Sequence, residues 1–486
     1  MKSGDINRKR IYLVGGLIIA AAFIVAVRDN VFRDLWFDES LTVTNFMLLP
    51  KISMIYRQYV IPNNQIVYTF LLRLWEELRI GGFSPDQFWR LFSVICAGGS
   101  VAIMMQRWRK SVSFAALPVL LALLIASAFA IYATAVRGYM LSFLFILIAI
   151  ELARGMIFRF NWKYVLGYFI CCLLTLGTIP TNLLPLGAVV LYFFPYFGFK
   201  KILDKRFLIL ALLPIAALLL FYLPLLPQVV KIVKLREGWG DQIRAAIVTY
   251  SGFILPMLPV VVAAITGGII WFRKTSKHIF CWRLVIIILP LLVIFARNPA
   301  PFPRVFFTMW PLWLLLTADG CRHLLPFLRK KRYTMAAVVG LCLITALWGK
   351  VVNDQKEFIS QKLYNCRLDD YFSPYYMRAD YTPWNTVLKL QRMFEETGVN
   401  RQVYLTFNSD PYSFLLYGRF AGMPTETWLF DNPLGKVNNL PSNALIVISK
   451  RDNPSSTLES LKECFGLKQA PAELFKSGTF SVYSVK

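Results

Sequence analysis

Residues 63–80 read NNQIVYTFLLRLWEELRI, and whether they cross a membrane decides the topology of everything downstream. Ile66, Tyr68, Phe70, Leu71, Leu74, Trp75 and Leu78 recur at largely helical spacing. Arg73, Glu76, Glu77 and Arg79 crowd the second half. Each charge near a bilayer centre costs ~2.5–3.5 kcal/mol. The stretch therefore reads as an amphipathic helix lying in the interface, and the second span becomes 88–105.

Outward from this point the chain is built of apolar runs separated by short basic clusters. Of 486 residues, 57% are hydrophobic, and the mean hydropathy is +0.53. The runs fall at 11–27, 88–105, 114–132, 139–152, 164–179, 183–199, 207–226, 247–271, 279–295, 305–316 and 335–348. That is about eleven segments, most of them long enough to cross ~30 Å of hydrocarbon. The fold class is a polytopic α-helical membrane protein with interfacial helices and a C-terminal α/β domain. Lys2, Arg8, Lys9 and Arg10 precede the first run, which places the N-terminus in the cytoplasm. A cleaved signal peptide is the rival for that run, but it is long for one and its cleavage pattern is poor. The net charge of +26 resides mainly in short loops. Its expected partner is therefore the lipid bilayer and not nucleic acid.

Composition shifts after Lys350. The expected domains are 1–350, which spans the membrane with a first external loop at 28–87, and 351–486, an external α/β domain. Strands are expected at 403–407, 444–449 and 480–485, with helices at 385–396, 411–420 and 455–465.

The groups facing outward are few. Trp36-Phe37-Asp38-Glu39-Ser40 follows the first run and sets two carboxylates beside a membrane. They can cap a surface helix, or one can act as the base for an acceptor hydroxyl. Arg137 and Tyr139, a charged cluster at 231–244, and Arg297 with Arg304 complete the set. Arginines at the outer interface suit a lipid phosphate or diphosphate. Their bland alternative is headgroup snorkelling. Together, base and cations fit sugar transfer from a lipid-phosphate donor. The eight Cys show no metal-ligand spacing, and His278 and His323 lie in basic segments away from Asp38, so no metal site is assigned. The motifs demand no cofactor, although a divalent cation is compatible with the acids. Cys366 and Cys464 are the cysteines of the external domain and could pair in an oxidising compartment.

Trp36-Phe37-Asp38-Glu39 after the first span resembles the external acidic motif of the GT-C glycosyltransferases. Asn63-Asn64-Gln65-Ile66-Val67-Tyr68 stands where the protein mannosyltransferase and aminoarabinose transferase branch carries His-Pro-Pro-Leu-Tyr-Tyr. Phe88-Trp89-Arg90-Leu91-Phe92-Ser93 is similar to its Ala-Leu-Arg-Leu-Pro-Ser. Ala135-Val136-Arg137-Gly138-Tyr139 is similar to its Glu-Ala-Arg-Met-Tyr. Two departures stand out: Asn-Asn replaces His-Pro, and Thr134 takes the place of the acid. Length, topology and external tail also resemble the phage-encoded serotype-converting O-antigen glucosyltransferases.

These resemblances imply a bacterial inner-membrane enzyme. It would carry a sugar, glucose by the phage resemblance, from polyprenyl (undecaprenyl) phosphate to O-antigen polysaccharide on the periplasmic face. Asp38 and Glu39 would be catalytic, and Arg137, Arg297 and Arg304 would hold the donor phosphate. Trp36, Tyr139, Asn63 and Asn64 would bind substrate. Rival readings are a lipid A or protein glycosyltransferase and, in another class, a flippase for lipid-linked sugars. A transporter should show inverted repeats and broken midplane helices, and neither is evident in the sequence. Reporter fusions after Lys110, Lys163, Lys201, Lys274 and Arg332 should read as cytoplasmic, and one at Lys486 as external. A cytoplasmic reading at Lys486 would overturn the assignment of 63–80 to the interface.

Overall fold

The computed structural model describes residues 3–58, 64–79, 81–197, 204–234, 241–274, 277–324, 331–355, 358, 381–406, 409–430, 440–441, 443–449, 454–467 and 469–485. Asn63 and Cys366 lie outside them, so the structure does not address their expected roles. The chain divides into two compact units. One comprises Met1–Val31 and Lys51–Ser373; the other comprises Phe32–Pro50 and Pro374–Lys486. Composition places 32–50 with the transmembrane half, whereas in the structure this stretch folds with the C-terminal residues.

In the first unit the described residues of the apolar runs fall on helix but for short breaks such as Ala126, because in lipid each backbone N–H and C=O must be satisfied within the segment. Among the described residues six helices are long and apolar enough to cross a membrane: Tyr12–Val31, Pro85–Ser111, Tyr139–Phe158, Lys205–Lys234, Gln242–Arg273 and Tyr333–Asp354. The run at 114–132 is a bent pair, Ser113–Ile125 and Ser127–Thr134, turned by 72°. The turn occurs at Ala126, whose backbone is extended while its N–H still reaches Ala122 and Leu123. The other runs form helices Trp162–Thr178, Leu183–Phe193, Lys277–Ala296, whose apolar part is Cys281–Ala296, and Trp310–Leu324. The stretch that opened the sequence reading holds helix Ile66–Glu76. At ~1.5 Å per residue it is far too short to span. Leu13, Leu17, Leu220, Ile265 and Leu347 are exposed, as expected for side chains facing lipid tails. The protein is a multi-pass membrane protein.

Pro214, Pro256, Pro259 and Pro290 lie inside these helices, which neighbouring helices make tolerable in a membrane. Helices Gln242–Lys274 and Trp310–Leu324 pack most closely where Gly267 meets Gly320. A Cβ on Gly320 would sit 2.6 Å from the Ala264 carbonyl oxygen and 2.9 Å from its Cα. Small residues at a crossing replace the hydrophobic drive that lipid cannot supply.

The second unit carries a five-stranded sheet in the order β2-β1-β3-β5-β4, with β1 Val403–Leu405, β2 Leu429–Phe430, β3 Leu445–Ser449, β4 Ala472–Ser477 and β5 Phe480–Ser484. β1 runs parallel to β2 and β3, whereas β5 is antiparallel to β3 and β4. All five residues of β3 are buried, as a strand covered on both faces requires. Helix Pro454–Cys464 covers one face, where Leu461 joins Tyr404, Ile446, Ile448 and Tyr483. On the other face Phe414 of helix Pro411–Phe420 meets Phe480 edge-on at 5.0 Å. Helix Pro383–Thr397 ends at Gly398, whose φ of +64° is the left-handed cap that glycine adopts most easily.

Gly320→Val should lower thermal stability in detergent by about 1–3 kcal/mol or prevent folding, since backbone and not a flexible side chain occupies the space. An unchanged melting temperature would show that the crossing is looser than drawn.

Candidate active site

The two acids sit on the short helix Phe37–Thr42 of the second unit. Trp36 precedes it in extended conformation and is half-buried. Glu39 is fully buried, and its carboxylate accepts the Trp36 backbone N–H at 3.1 Å. That is the helix-end fastening a glutamate supplies at the third position. Asp38 is 8% exposed, and its backbone carbonyl accepts the Thr42 hydroxyl. The sequence leaves the two carboxylates unranked; the structure divides them into Glu39 as a cap and Asp38 at the edge of the buried region.

The segment is seated on the C-terminal chain. The Leu35 N–H donates to the Tyr417 hydroxyl at 2.7 Å, and its carbonyl accepts from the Ser413 and Tyr381 hydroxyls at 3.0 and 3.4 Å. Ser40 and Ser413 share a hydrogen bond of 3.0 Å, and the Asp34 carboxylate accepts the Trp384 N–H at 2.8 Å. Phe37 meets Tyr412 edge-on at 5.4 Å. The single proton of Tyr381 lies between the Leu35 carbonyl and the nearer Asp410 carboxylate at 3.0 Å, Asp410 being a residue at φ +56°.

In the membrane unit the three motifs quoted from the sequence converge. Residues 135–138 link helices Ser127–Thr134 and Tyr139–Phe158. The buried Arg90 donates to the Thr134 carbonyl at 3.0 Å, and the Ser93 hydroxyl donates to the Ala135 carbonyl at 2.6 Å. Tyr68 and Ser93 share a hydrogen bond of 3.2 Å, and the Gln65 side-chain oxygen accepts the Gly138 N–H. Gly138 has no room for a side chain: a Cβ would stand 3.0 Å from the Tyr68 Cβ and 3.1 Å from the Gln65 oxygen. Gln65 and Arg90 are therefore positioning residues that sequence reasoning did not assign to the site. Their position within the quoted motifs was the signal that could have found them. Asn64 is buried, and its amide donates to the Ile55 and Gln58 carbonyls at 2.8 and 3.0 Å. Its visible work is to tie the end of helix Ser53–Arg57 to the start of helix Ile66–Glu76.

The fixed turn presents Arg137, which is buried and lies over the Tyr139 ring at 5.9 Å. Tyr139 contacts Tyr132 at 4.8 Å, and Tyr132 contacts Phe307 at 4.6 Å. Phe307 belongs to the 3-10 helix Pro303–Met309, which carries the buried Arg304, stacked over Phe302 at 4.6 Å. Arg297 is exposed just beyond helix Lys277–Ala296. It closes an almost wholly apolar groove of about 960 Å³ whose walls include Leu184, Val190, Leu218, Leu289 and Val293. It is the one charged residue among the described lining. Tyr56 donates to the Phe221 carbonyl at 2.8 Å, and burial raises its phenol above the ordinary value. Among the described residues no group of three or more His, Cys, Asp or Glu side chains is placed to hold a metal ion.

No protein-family model and no curated protein matches the sequence. Solved structures do match: crystal structures of ArnT from Cupriavidus metallidurans, bound to undecaprenyl phosphate and in the apo state. Both align with TM-score 0.55 and 10% identity over 100% of this chain and 99% of theirs. The likeness is one of fold along the whole length. It does not single out the phage glucosyltransferases.

Gly138→Ala should lower stability by about 1–3 kcal/mol through overpacking, read as a drop in melting temperature. Gln65→Leu should do the same by stranding the Gly138 N–H, at about 1–3 kcal/mol. If both variants melt like the parent, the convergence of the motifs carries no structural weight.

Proposed function

We propose that this protein is a glycosyltransferase that moves a sugar from a polyprenyl phosphate to a polysaccharide acceptor at the outer face of the bacterial inner membrane. The observation that carries the reading is the apolar groove of about 960 Å³ with Arg297 at its rim. Its lining suits a long isoprenoid chain, and its single cation suits the phosphate at that chain's head. The likeness in fold to ArnT, crystallised with undecaprenyl phosphate, supports the same class of donor.

In this reading Asp38 takes the proton of the acceptor hydroxyl as its oxygen attacks the anomeric carbon. The bond from that carbon to the phosphate oxygen breaks, and the configuration inverts. Arg297, with Arg137 and Arg304, stabilises the departing polyprenyl phosphate. Glu39 keeps helix Phe37–Thr42 in place so that Asp38 is presented. Trp36 and Tyr139 offer faces for sugar rings. We assign glucose as the sugar and O-antigen as the acceptor on the resemblance to serotype-converting enzymes.

The test is transfer of labelled glucose from undecaprenyl phosphate to O-antigen by the purified protein in liposomes. Asp38→Asn should lower turnover per folded molecule by about 10²–10⁴. Glu39→Gln, whose amide oxygen can still accept the Trp36 N–H, should keep stability and turnover near normal, whereas Glu39→Ala should lower stability by about 1 kcal/mol for a lost cap. Arg297→Ala should raise the KM for donor more than it lowers kcat. Normal turnover in Asp38→Asn would remove the base, and absence of transfer from any polyprenyl-phosphate sugar would remove the reading.

A further inference from the structure

The membrane unit has a second cavity, of about 280 Å³, at helix ends remote from Arg297. Helix Lys277–Ala296 carries Arg283 roughly 20 Å along its axis from Arg297, at ~1.5 Å per residue. The charged side chains of its described lining are Glu151, Arg154, Arg283, Asp319 and Arg322, with His323 beside them. None of these has a part in the sugar-transfer reading.

Arg283 is the centre of the cluster. Its side chain is 15% exposed and forms an ion pair with Asp319, whose side chain is 11% exposed. The guanidinium lies over Trp271 at 4.9 Å and Tyr192 at 5.5 Å. His323 stacks on Trp271 at 4.9 Å, and its Nε2 stands 3.8 Å from Asp319. Four helices thus meet at one buried ion pair. A purely structural pair would need no cavity beside it, and apolar packing would serve as well. Here the Nε of Arg283 is buried without a hydrogen-bond partner, although a guanidinium offers five donors. Arg154 and Arg322, both exposed, add two further cations beside Glu151. Three guanidinium groups face two carboxylates, so the cavity is short of negative charge.

We propose that this cavity binds a phosphate ester, with Arg283 as its floor and Arg154 and Arg322 as its rim. The volume is many times the ~30 Å³ share of one water. It suits a phosphorylated headgroup, and it is too small for the isoprenoid chain that the larger groove fits. A phospholipid headgroup and a soluble phosphate ester share this chemistry.

The test uses the purified full-length protein in phosphate-free detergent buffer, with binding read by calorimetry. The probes are inorganic phosphate, glycerol phosphate, dihexanoyl phosphatidylglycerol and, as a phosphate-free control, dihexanoylglycerol. At least one phosphate probe should bind saturably. The double variant R154Q/R322Q, altered at two exposed positions, should fold and bind that probe about tenfold or more weakly, as expected for lost charge-assisted bonds. R297Q should leave this binding unchanged. Binding of the lipid alone identifies a headgroup site, and binding of glycerol phosphate or phosphate alone identifies a soluble ligand. Absence of saturable phosphate binding, equal binding in the double variant, or dihexanoylglycerol binding as tightly would overturn the proposal. The readout does not involve sugar transfer, so a failed transferase assay leaves it standing.

Discussion

The peptide group of Leu35 is the point on which the acidic segment depends. Its N–H and its carbonyl are both bonded to side chains of the C-terminal chain, Tyr417, Ser413 and Tyr381. A buried peptide group needs both bonds, and each unmet one costs ~1–3 kcal/mol. Asp38 follows by three residues on a helix of a single turn or so, too short to hold itself. What fixes its direction is the seating of Leu35, the Glu39 cap and the Ser40–Ser413 contact. A carboxylate meant to take a proton works only within hydrogen-bond reach of it. The C-terminal unit therefore reads as the mount of the acid and not as an appended domain.

The membrane unit solves a related problem in a drier setting. Residues 135–138 form a stretch of irregular backbone between two helices, which lipid-facing chain cannot contain but protein-lined backbone can. Ser93 takes the Ala135 carbonyl and Gln65 the Gly138 N–H, while Arg90 takes the carbonyl of Thr134 just before the stretch. Arg137 is presented by a frame whose every link is a hydrogen bond. The same arithmetic explains why Gly138 is glycine: Tyr68 and Gln65 must come close enough to reach it.

Much of this was legible in the sequence where the physics is local. Apolar runs became helices because lipid permits little else, and the charges at 73–79 kept helix Ile66–Glu76 short. Strands at β1, β3 and β5 follow from β-branched and aromatic runs. β4 was missed because its burial does not alternate; a Gly478 turn at φ +58° was the available hint. β2 has two residues and too little pattern to be read. Within the site, Asp38, Arg137 and Arg304 could be named from residue type and position. The cap was readable for the acidic pair but not which of the two supplies it, and the structural use of Asn64 and the Arg283–Asp319 pair were not readable. Each depends on a partner brought up by folding, up to 382 positions away for Leu35 and Tyr417.

That sequence distance also orders events during synthesis. Helix Ser3–Val31 and the acidic segment leave the ribosome first, yet the surface that seats Leu35 is made only after all the membrane helices. β5, an interior strand of the sheet, comes later still. Until then Asp34, Asp38 and Glu39 belong to a short segment joined at both ends to the membrane unit, without the bonds from the C-terminal chain. The chain thus carries its acid in an unassembled form through most of translation, and the same residues that complete the C-terminal sheet complete the acid's support.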